Sequence, residues 1–259
     1  MANLQPGESM NPTARFFDEI RSGLSRVQVS QVRATADIIA QTLENGGIIH
    51  TFGTGHSALL AQELFYRAGG LVAVNPILDP KLGFEGGAFA STAFERSSEG
   101  AAELVAKADF RPGDAGIVIS NSGRNPLPVE MALRMKSAGL KVIALTNLQQ
   151  SQASEPRHSS GKRLFEIADA VLDNCCPWGD AAVEIAGMPH RLGPLSTILG
   201  AAILHAVILE AAAQLAMKGK PPATFMSSNV GSLTQEDLQH LATPYQDRIR
   251  YYQSTGNVS

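Results

Sequence analysis

Cysteine is nearly absent from this chain. Two occur among 259 residues, and they are neighbours, Cys175 and Cys176. Adjacent thiols build no disulfide framework, and adjacent side chains do not converge on a tetrahedral zinc as ligands with a two-residue gap do. This usage fits a reducing cytosol, so a cytoplasmic protein is expected. Excess charge of one sign is missing as well: 21 Lys and Arg oppose 24 Asp and Glu, a formal net charge of −3. That leaves no positive field for nucleic acid or for an acidic membrane, and a small ligand is the expected partner. Residues 1–9 lack a basic segment followed by an apolar run, which reads as no secretory signal. The longest apolar stretch, 201–217, is interrupted by His205, Glu210 and Gln214, and reads as a buried or interface helix and not a membrane span. His190 and His205 lack a carboxylate at helical spacing, so neither a metal nor a cofactor is expected.

What the chain has is apolar side chain, 44% of its residues, enough for one large core as a single domain or a domain with extensions. Helical spacing runs through 12–24 and 27–44, where Phe16, Ile20 and Leu24 and then Val32, Ala36, Ile39 and Leu43 form a stripe. Asn45-Gly46-Gly47 ends it. Strands are expected at 48–52, 71–74, 115–119, 141–146 and 170–173, with a further one at 182–185. Helices are expected at 57–68, 92–108, 126–137 and 195–217, and a polar helix after Thr234. The long loop at 75–89 carries glycine and proline and suits a functional segment. Strands alternating with helices demand right-handed crossovers, hence an α/β fold with a parallel sheet covered on both faces.

Twice a short apolar strand runs into a small glycine- and serine-rich loop that opens a helix. The first loop is Gly53-Thr54-Gly55-His56-Ser57 and the second is Ser120-Asn121-Ser122-Gly123-Arg124-Asn125. On neighbouring parallel strands, such loops aim N–H groups, hydroxyls and two positive helix ends at one small anion. Gly53-x-Gly55-x-x-Ala58 also satisfies a dinucleotide fingerprint, but that fingerprint wants an acid at the end of the next strand, where this chain has Asn75. Hydroxyls at Ser57, Ser120 and Ser122 suit a terminal phosphate, whose oxygens accept many short hydrogen bonds.

With this strand order, the loop pair resembles the sugar isomerase (SIS) domain of phosphosugar isomerases and phosphosugar-binding regulators. More narrowly, GTGHSALLAQELFYRAGGLVAVNP at 53–76 and HSSGKRLFEIADAVLDNCCPWGD at 158–180 are similar to a bacterial branch of that family often labelled phosphoheptose isomerase-like. The resemblance covers 27–218, so an N-terminal helical segment at 1–26 and a C-terminal extension at 219–259 are expected outside it. It implies a three-layer αβα sandwich, flavodoxin-like, with a five-stranded parallel sheet. It also implies a phosphosugar ligand and a homodimer or homotetramer with the site near a subunit interface. Residue by residue, it implies that Ser57, Ser120, Ser122 and Asn125 hold the sugar phosphate among Gly53, Thr54, Gly55, His56, Asn121 and Gly123. It likewise implies that His205 acts on the sugar ring or its carbonyl.

The departures bear on the reaction. Aligned on the first loop, the family's metal-ligand histidine falls at Glu63 and its catalytic glutamate at Arg67, which stays charged and abstracts no proton. A base for an aldose–ketose shift must then come from elsewhere. The candidates are Glu85, in the glycine-flanked 83–87 loop, and Glu99, which with Glu95 opens the expected helix at 92–108. His158 and Lys162 follow the fourth strand on the edge where open α/β sheets bind ligands, and are candidate substrate contacts. An isomerase working through a cis-enediol is the first expectation; a non-catalytic phosphosugar sensor and a lyase or etherase on an amino-sugar phosphate are the alternatives.

Overall fold

In the computed structural model, which describes residues 11–227, 229 and 234–253, five parallel strands form one sheet. They are β1 (Ile49–Gly53), β2 (Val74–Pro76), β3 (Ala115–Ile119), β4 (Lys141–Thr146) and β5 (Ala170–Asp173), in the order β2-β1-β3-β4-β5. β1 and β3 are buried along their whole length, which is why they read as apolar runs without alternation. Ile49, Ile117, Ile119, Ile143 and Leu145 face α2 (Val29–Glu44), α3 (His56–Glu63) and α8 (Ser196–Met217). Val118, Val142 and Ala144 face the other layer, α5 (Ala101–Ala106) and α6 (Pro126–Ser137). The expected αβα sandwich with five parallel strands is therefore present. From β1 the chain moves outward to β2 and then returns to β3 on β1's other side. The crevice of such a sheet opens at the carboxyl ends of β1 and β3.

The first and last described segments pack onto this frame. α1 (Pro12–Arg26) starts where Asn11 Oδ1 accepts the Ala14 N–H at 3.1 Å, with Pro12 in the first turn. Its Phe16 and Ile20 pack with Leu195 and Leu199 of the segment that begins α8. The C-terminal residues cover the β2 edge: Val72 N–H donates to Ala223 O at 3.0 Å, Tyr252 Oη to Val72 O at 2.9 Å, and Ile249 is buried beside Ile48 and Ala73. α9 (Gln235–Ala242) has a reciprocal cap between Thr234 and Asp237.

The amino ends of β1 and β3 hold a closed charge network. His50 is fully buried; its Nδ1 accepts from Asn75 Nδ2 at 3.1 Å, so its Nε2–H donates to Asp114 Oδ2 at 3.2 Å. Asp114 also accepts from Arg248 at 2.6 and 3.1 Å and from the Ile48 and Arg111 N–H groups at 3.0 Å. Burial pushes the His50 pKa down, against the pull of Asp114, and keeps the ring neutral.

Several elements differ from the sequence reading. The helix expected at 57–68 ends at Glu63, because Tyr66 turns to φ +42° and lays its ring edge-on against Phe225 at 4.9 Å. The strand expected at 71–74 is β2 at Val74–Pro76, while Leu71 bridges to Thr224 instead. The helix expected at 92–108 is two, α4 (Ala88–Glu95) and α5, with the Phe94 ring occupying the space a side chain at Gly100 would need. Glu95 thus closes α4 and Glu99 lies between helices, so neither opens a helix as expected. The strand near 182–185 is β6 (Ala181–Val183), which pairs antiparallel with β7 (Leu192–Pro194) outside the main sheet.

Candidate functional site

The register Gly53↔Ile119 places the two loops side by side, each just beyond its strand and each leading into a helix. In the first, a Cβ on Gly53 would lie 2.3 Å from the Ser57 carbonyl oxygen, so the strand-to-helix turn closes only on glycine. Gly55, at φ +56° and ψ −129°, donates its N–H to Leu82 O at 2.7 Å, and Ser57 donates to Thr54 O at 3.0 Å. The 77–87 segment therefore lies against this loop, with Phe84 edge-on to the exposed His56 ring at 5.0 Å. Ser57 stands half-buried in the first turn of α3. Asn75, where a dinucleotide fold keeps its ribose acid, is buried, its amide bonded to His50 and to Ala108 O.

The second loop is tighter. Ser120 is buried and its Oγ accepts the Gly123 N–H at 3.2 Å; Gly123 has φ +60°, and a Cβ there would meet Ser151 Oγ at 2.6 Å. Asn121 is a scaffold residue: its Oδ1 accepts from Asn174 Nδ2 at 2.8 Å and from the Cys176 thiol at 3.3 Å. Burial pushes that thiol's pKa up to about 12, so Cys176 stays protonated at neutral pH. Ser122 is half-buried, and no hydrogen bond to its side chain is formed among the described residues. Asn125 caps α6, yet its amide is engaged: Nδ2 donates to Glu95 Oε1 at 2.8 Å and Oδ1 accepts from Arg157 at 3.0 Å.

The remaining candidates sit apart from the loops. His205 on α8 meets Glu63 Oε1 through Nε2 at 3.2 Å and approaches Arg67 at 3.5 Å, while Glu63 and Arg67 pair with each other. Burial, and then the Arg67 charge, lower the His205 pKa. Glu63 lies seven residues beyond His56 on α3, about 10 Å along the helix axis, so within one protomer His205 does not reach the paired loops. His158 is buried with both ring nitrogens engaged: Nε2 to Glu130 at 3.0 Å and Nδ1 to Ser160 at 2.8 Å. It fastens the 158–164 segment to α6, leaving no nitrogen for a ligand. Lys162, Glu85 and Glu99 are exposed, and neither of these two glutamates hydrogen-bonds a loop among the described residues.

Glu95, named beside Glu99 in the sequence reading, is the carboxylate that touches a loop, through Asn125. Two features escaped that reading. Arg124, inside the second loop, and Arg157, beside His158, flank the same asparagine, and only Arg124 had a local signal, its place in the motif. A cleft of about 660 Å³ beyond β4 and β5 is lined by Arg26, Gln31, Asn147, Asp173, Cys175 and Cys176.

α8 is long and apolar enough to cross a membrane by length and composition, with 44% of its most apolar window buried in the fold. Ile198, Leu209 and Met217 project from its outer face.

Comparison with known proteins supports the same reading of the fold. The model of the SIS domain matches residues 15–147, which include both loops and begin inside α1, earlier than the resemblance at 27–218. UPF0309 protein Lm4b_02611 of Listeria monocytogenes is 40% identical over 237 residues, 92% of this chain and 94% of the relative. Among solved structures, phosphoheptose isomerase GmhA from Neisseria gonorrhoeae aligns with 78% of this chain and 96% of its own at 18% identity and a TM-score of 0.47. The Vibrio vulnificus NanR protein, solved in complex with ManNAc-6P, aligns with 91% of this chain and 67% of its own at 14% identity and a TM-score of 0.47. A domain match over half the chain, together with a relative at this identity and coverage, means that the chain belongs to the SIS domain family.

Proposed function

We propose that the paired loops bind the phosphate of a phosphorylated sugar and that the protein is an aldose–ketose isomerase. The observation that carries this is the adjacency of two glycine-closed loops at the carboxyl ends of β1 and β3, bringing Ser57, Ser120 and Ser122 to one crevice within an SIS domain. In this reading the sugar-binding unit is 27–218, with an N-terminal helical segment at 1–26 and a C-terminal extension at 219–259 outside it, and it works in the cytosol, where its two free cysteines stay reduced.

In the isomerisation, a carboxylate takes the proton from C2 as O1 gains a proton to give the enediol, and returns it to C1 as the C2 hydroxyl gives up its proton, replacing the one taken by O1, and becomes the new carbonyl. Glu85 and Glu99 are the carboxylates assigned to this step; both sit on the segment that runs across the first loop and on to Asn125. Glu95 is the rival, since it already stands at the second loop. His205 polarises the carbonyl or assists ring opening. Its distance from the loops within one protomer favours a homodimer or homotetramer in which His205 of a second copy faces the loops, with the exposed apolar stripe of α8 at the contact.

A panel of hexose, heptose and amino-sugar phosphates, read first by thermal shift and then by proton exchange in deuterated water, tests the assignment. Exchange at C1 or C2 supports an isomerase. Stabilisation without exchange supports a phosphosugar sensor, a reading favoured by the absence of a free carboxylate against the loops among the described residues. Release of a fragment supports a lyase or etherase.

A further inference from the structure

Seven of the fourteen arginines pair with a carboxylate among the described residues, as Arg67 does with Glu63, Arg134 with Glu130, Arg163 with Glu166 and Arg248 with Asp114. Three of the other seven gather around the second loop. Arg96 caps the C-terminus of α4, Arg124 follows Gly123 within the loop, and Arg157 comes from the segment after α7 (Leu148–Gln152). None of the three closes an ion pair with a carboxylate among the described residues.

Their convergence is built by the backbone. Arg157 N–H donates to Arg124 O at 3.1 Å, and Leu164 N–H donates to Gly123 O at 2.8 Å, so 157–164 runs along the flank of the second loop. His158, gripped by Glu130 and Ser160, anchors that run. Asn125 ties in the third segment, accepting from Arg157 and donating to Glu95, which precedes Arg96. The buried Nε–H of Arg124 has no acceptor among the described residues. Burial, then the charges of Arg124 and Arg96, lower the Arg157 pKa, while Glu95 acts in the opposite sense. Arg96 and Arg124 thus lie close enough to act on Arg157, with Glu95, itself held at Asn125, the one carboxylate that acts on it, so two of the three positive charges remain without a counter-charge.

A terminal phosphate between Ser57, Ser120 and Ser122 does not account for these groups, which stand on the outer flank of the second loop. We propose that Arg96, Arg124 and Arg157 form a second anion subsite, so that the ligand is a sugar phosphate carrying a further acidic group, a carboxylate or a second phosphate, away from the phosphate bound by the loops. Guanidinium suits either group, since its planar fork matches carboxylate and phosphate oxygens in pairs. This rests on the phosphosugar reading above and narrows its substrate class.

The test is calorimetric titration of the full chain with glucose 6-phosphate, 6-phosphogluconate and fructose 1,6-bisphosphate, repeated on Arg96→Gln/Arg157→Gln and on Ser120→Ala/Ser122→Ala. At least one of the two diacids should bind about tenfold or more tightly than glucose 6-phosphate, as expected for a charge-assisted contact. The arginine double variant should erase that preference while holding glucose 6-phosphate within about threefold, and the serine double variant should weaken all three ligands. The proposal is overturned if glucose 6-phosphate binds as well as both diacids, if the preference survives the arginine variant, or if that variant weakens all three equally. Should diacid binding depend on the arginines and not on the serines, the phosphosugar reading fails and the anion subsite stands. Should no ligand bind, both fail.

Discussion

At one end of the β1–β3 pair, the buried His50 and Asp114 and the part-buried Arg248 are matched; at the other end of the same strands, among the described residues, Arg96 and Arg124 pair with no carboxylate, Arg157 has only the Asn125 amide and the Ser122 hydroxyl has no partner. Both ends are polar, so polarity does not mark the site. The difference lies in completion. Asp114 takes hydrogen bonds from two side chains and two backbone N–H groups, and a ligand there would have to break them. The carboxyl end uses its backbone N–H groups to close the loops but leaves the Ser122 hydroxyl and the Arg124 Nε–H without hydrogen-bond partners among the described residues, which is where the proposed ligand would complete it.

Breaking the closed end should have the largest effect. Asp114→Asn removes the buried carboxylate shared by His50, Arg248 and two backbone N–H groups, leaving Arg248 only Asp109 at 3.5 Å, and loss of one partner from a buried pair costs about 3–5 kcal/mol. Urea unfolding should show this as a lowered midpoint with an unchanged slope, and the fraction still folded should respond normally to sugar phosphate. A midpoint unmoved by Asp114→Asn would show that the two ends do not differ as argued.

At the open end, Gly53→Ala should destabilise by about 2 kcal/mol, because the new methyl meets a backbone oxygen and not a yielding side chain. It should also abolish the thermal shift with phosphosugar, since Ser57 moves with that oxygen. Ser120→Ala should cost about 1 kcal/mol through the lost Gly123 hydrogen bond. Ser122→Ala should cost less than about 0.5 kcal/mol. If Ser122→Ala leaves phosphosugar binding as it was, the open end is open for some other reason.

Locality decides which of these features could be read from the chain. The five-strand sheet is legible because its central strands are buried on both faces and so must be apolar runs. The loops are legible because each turn demands glycine at a fixed offset from a hydroxyl. Nothing local marks the end of α3 at Glu63, since Tyr66 is turned by Phe225 from the far end of the chain. β6 and β7, three residues each, carry no period long enough to separate a hairpin from a sheet strand. His158 looks like a ligand in sequence and is a fastener in the fold, because its partner Glu130 lies on the other side of β4 in the chain. The arginine cluster draws on three segments, and only Arg124 lies within a motif.

A pH dependence of stability is the last prediction, and it comes chiefly from the closed end. Burial holds the His50 pKa below its unfolded value of about 6.5, so as pH falls through that value the unfolded chain takes up a proton that the folded chain refuses. Stability therefore falls as pH drops from about 6.5 toward the folded pKa, by at most about 1.4 kcal/mol per pH unit for one such group. His205, depressed by burial and by Arg67, adds in the same direction. Asp114 acts lower: burial opposes its ionisation, but His50, Arg248 and two backbone N–H groups outweigh that and hold its carboxyl well below the usual range. Its contribution is full above about pH 4 and is lost as pH falls further. Urea midpoints should decline in two stages, and His50→Gln should flatten the first while leaving phosphosugar affinity at pH 7.5 unchanged. A flat profile between pH 7 and 5 would mean that His50 titrates alike in both states. The arginines of the open end keep their charge throughout this range, so acid should weaken the fold before it changes their part of the site.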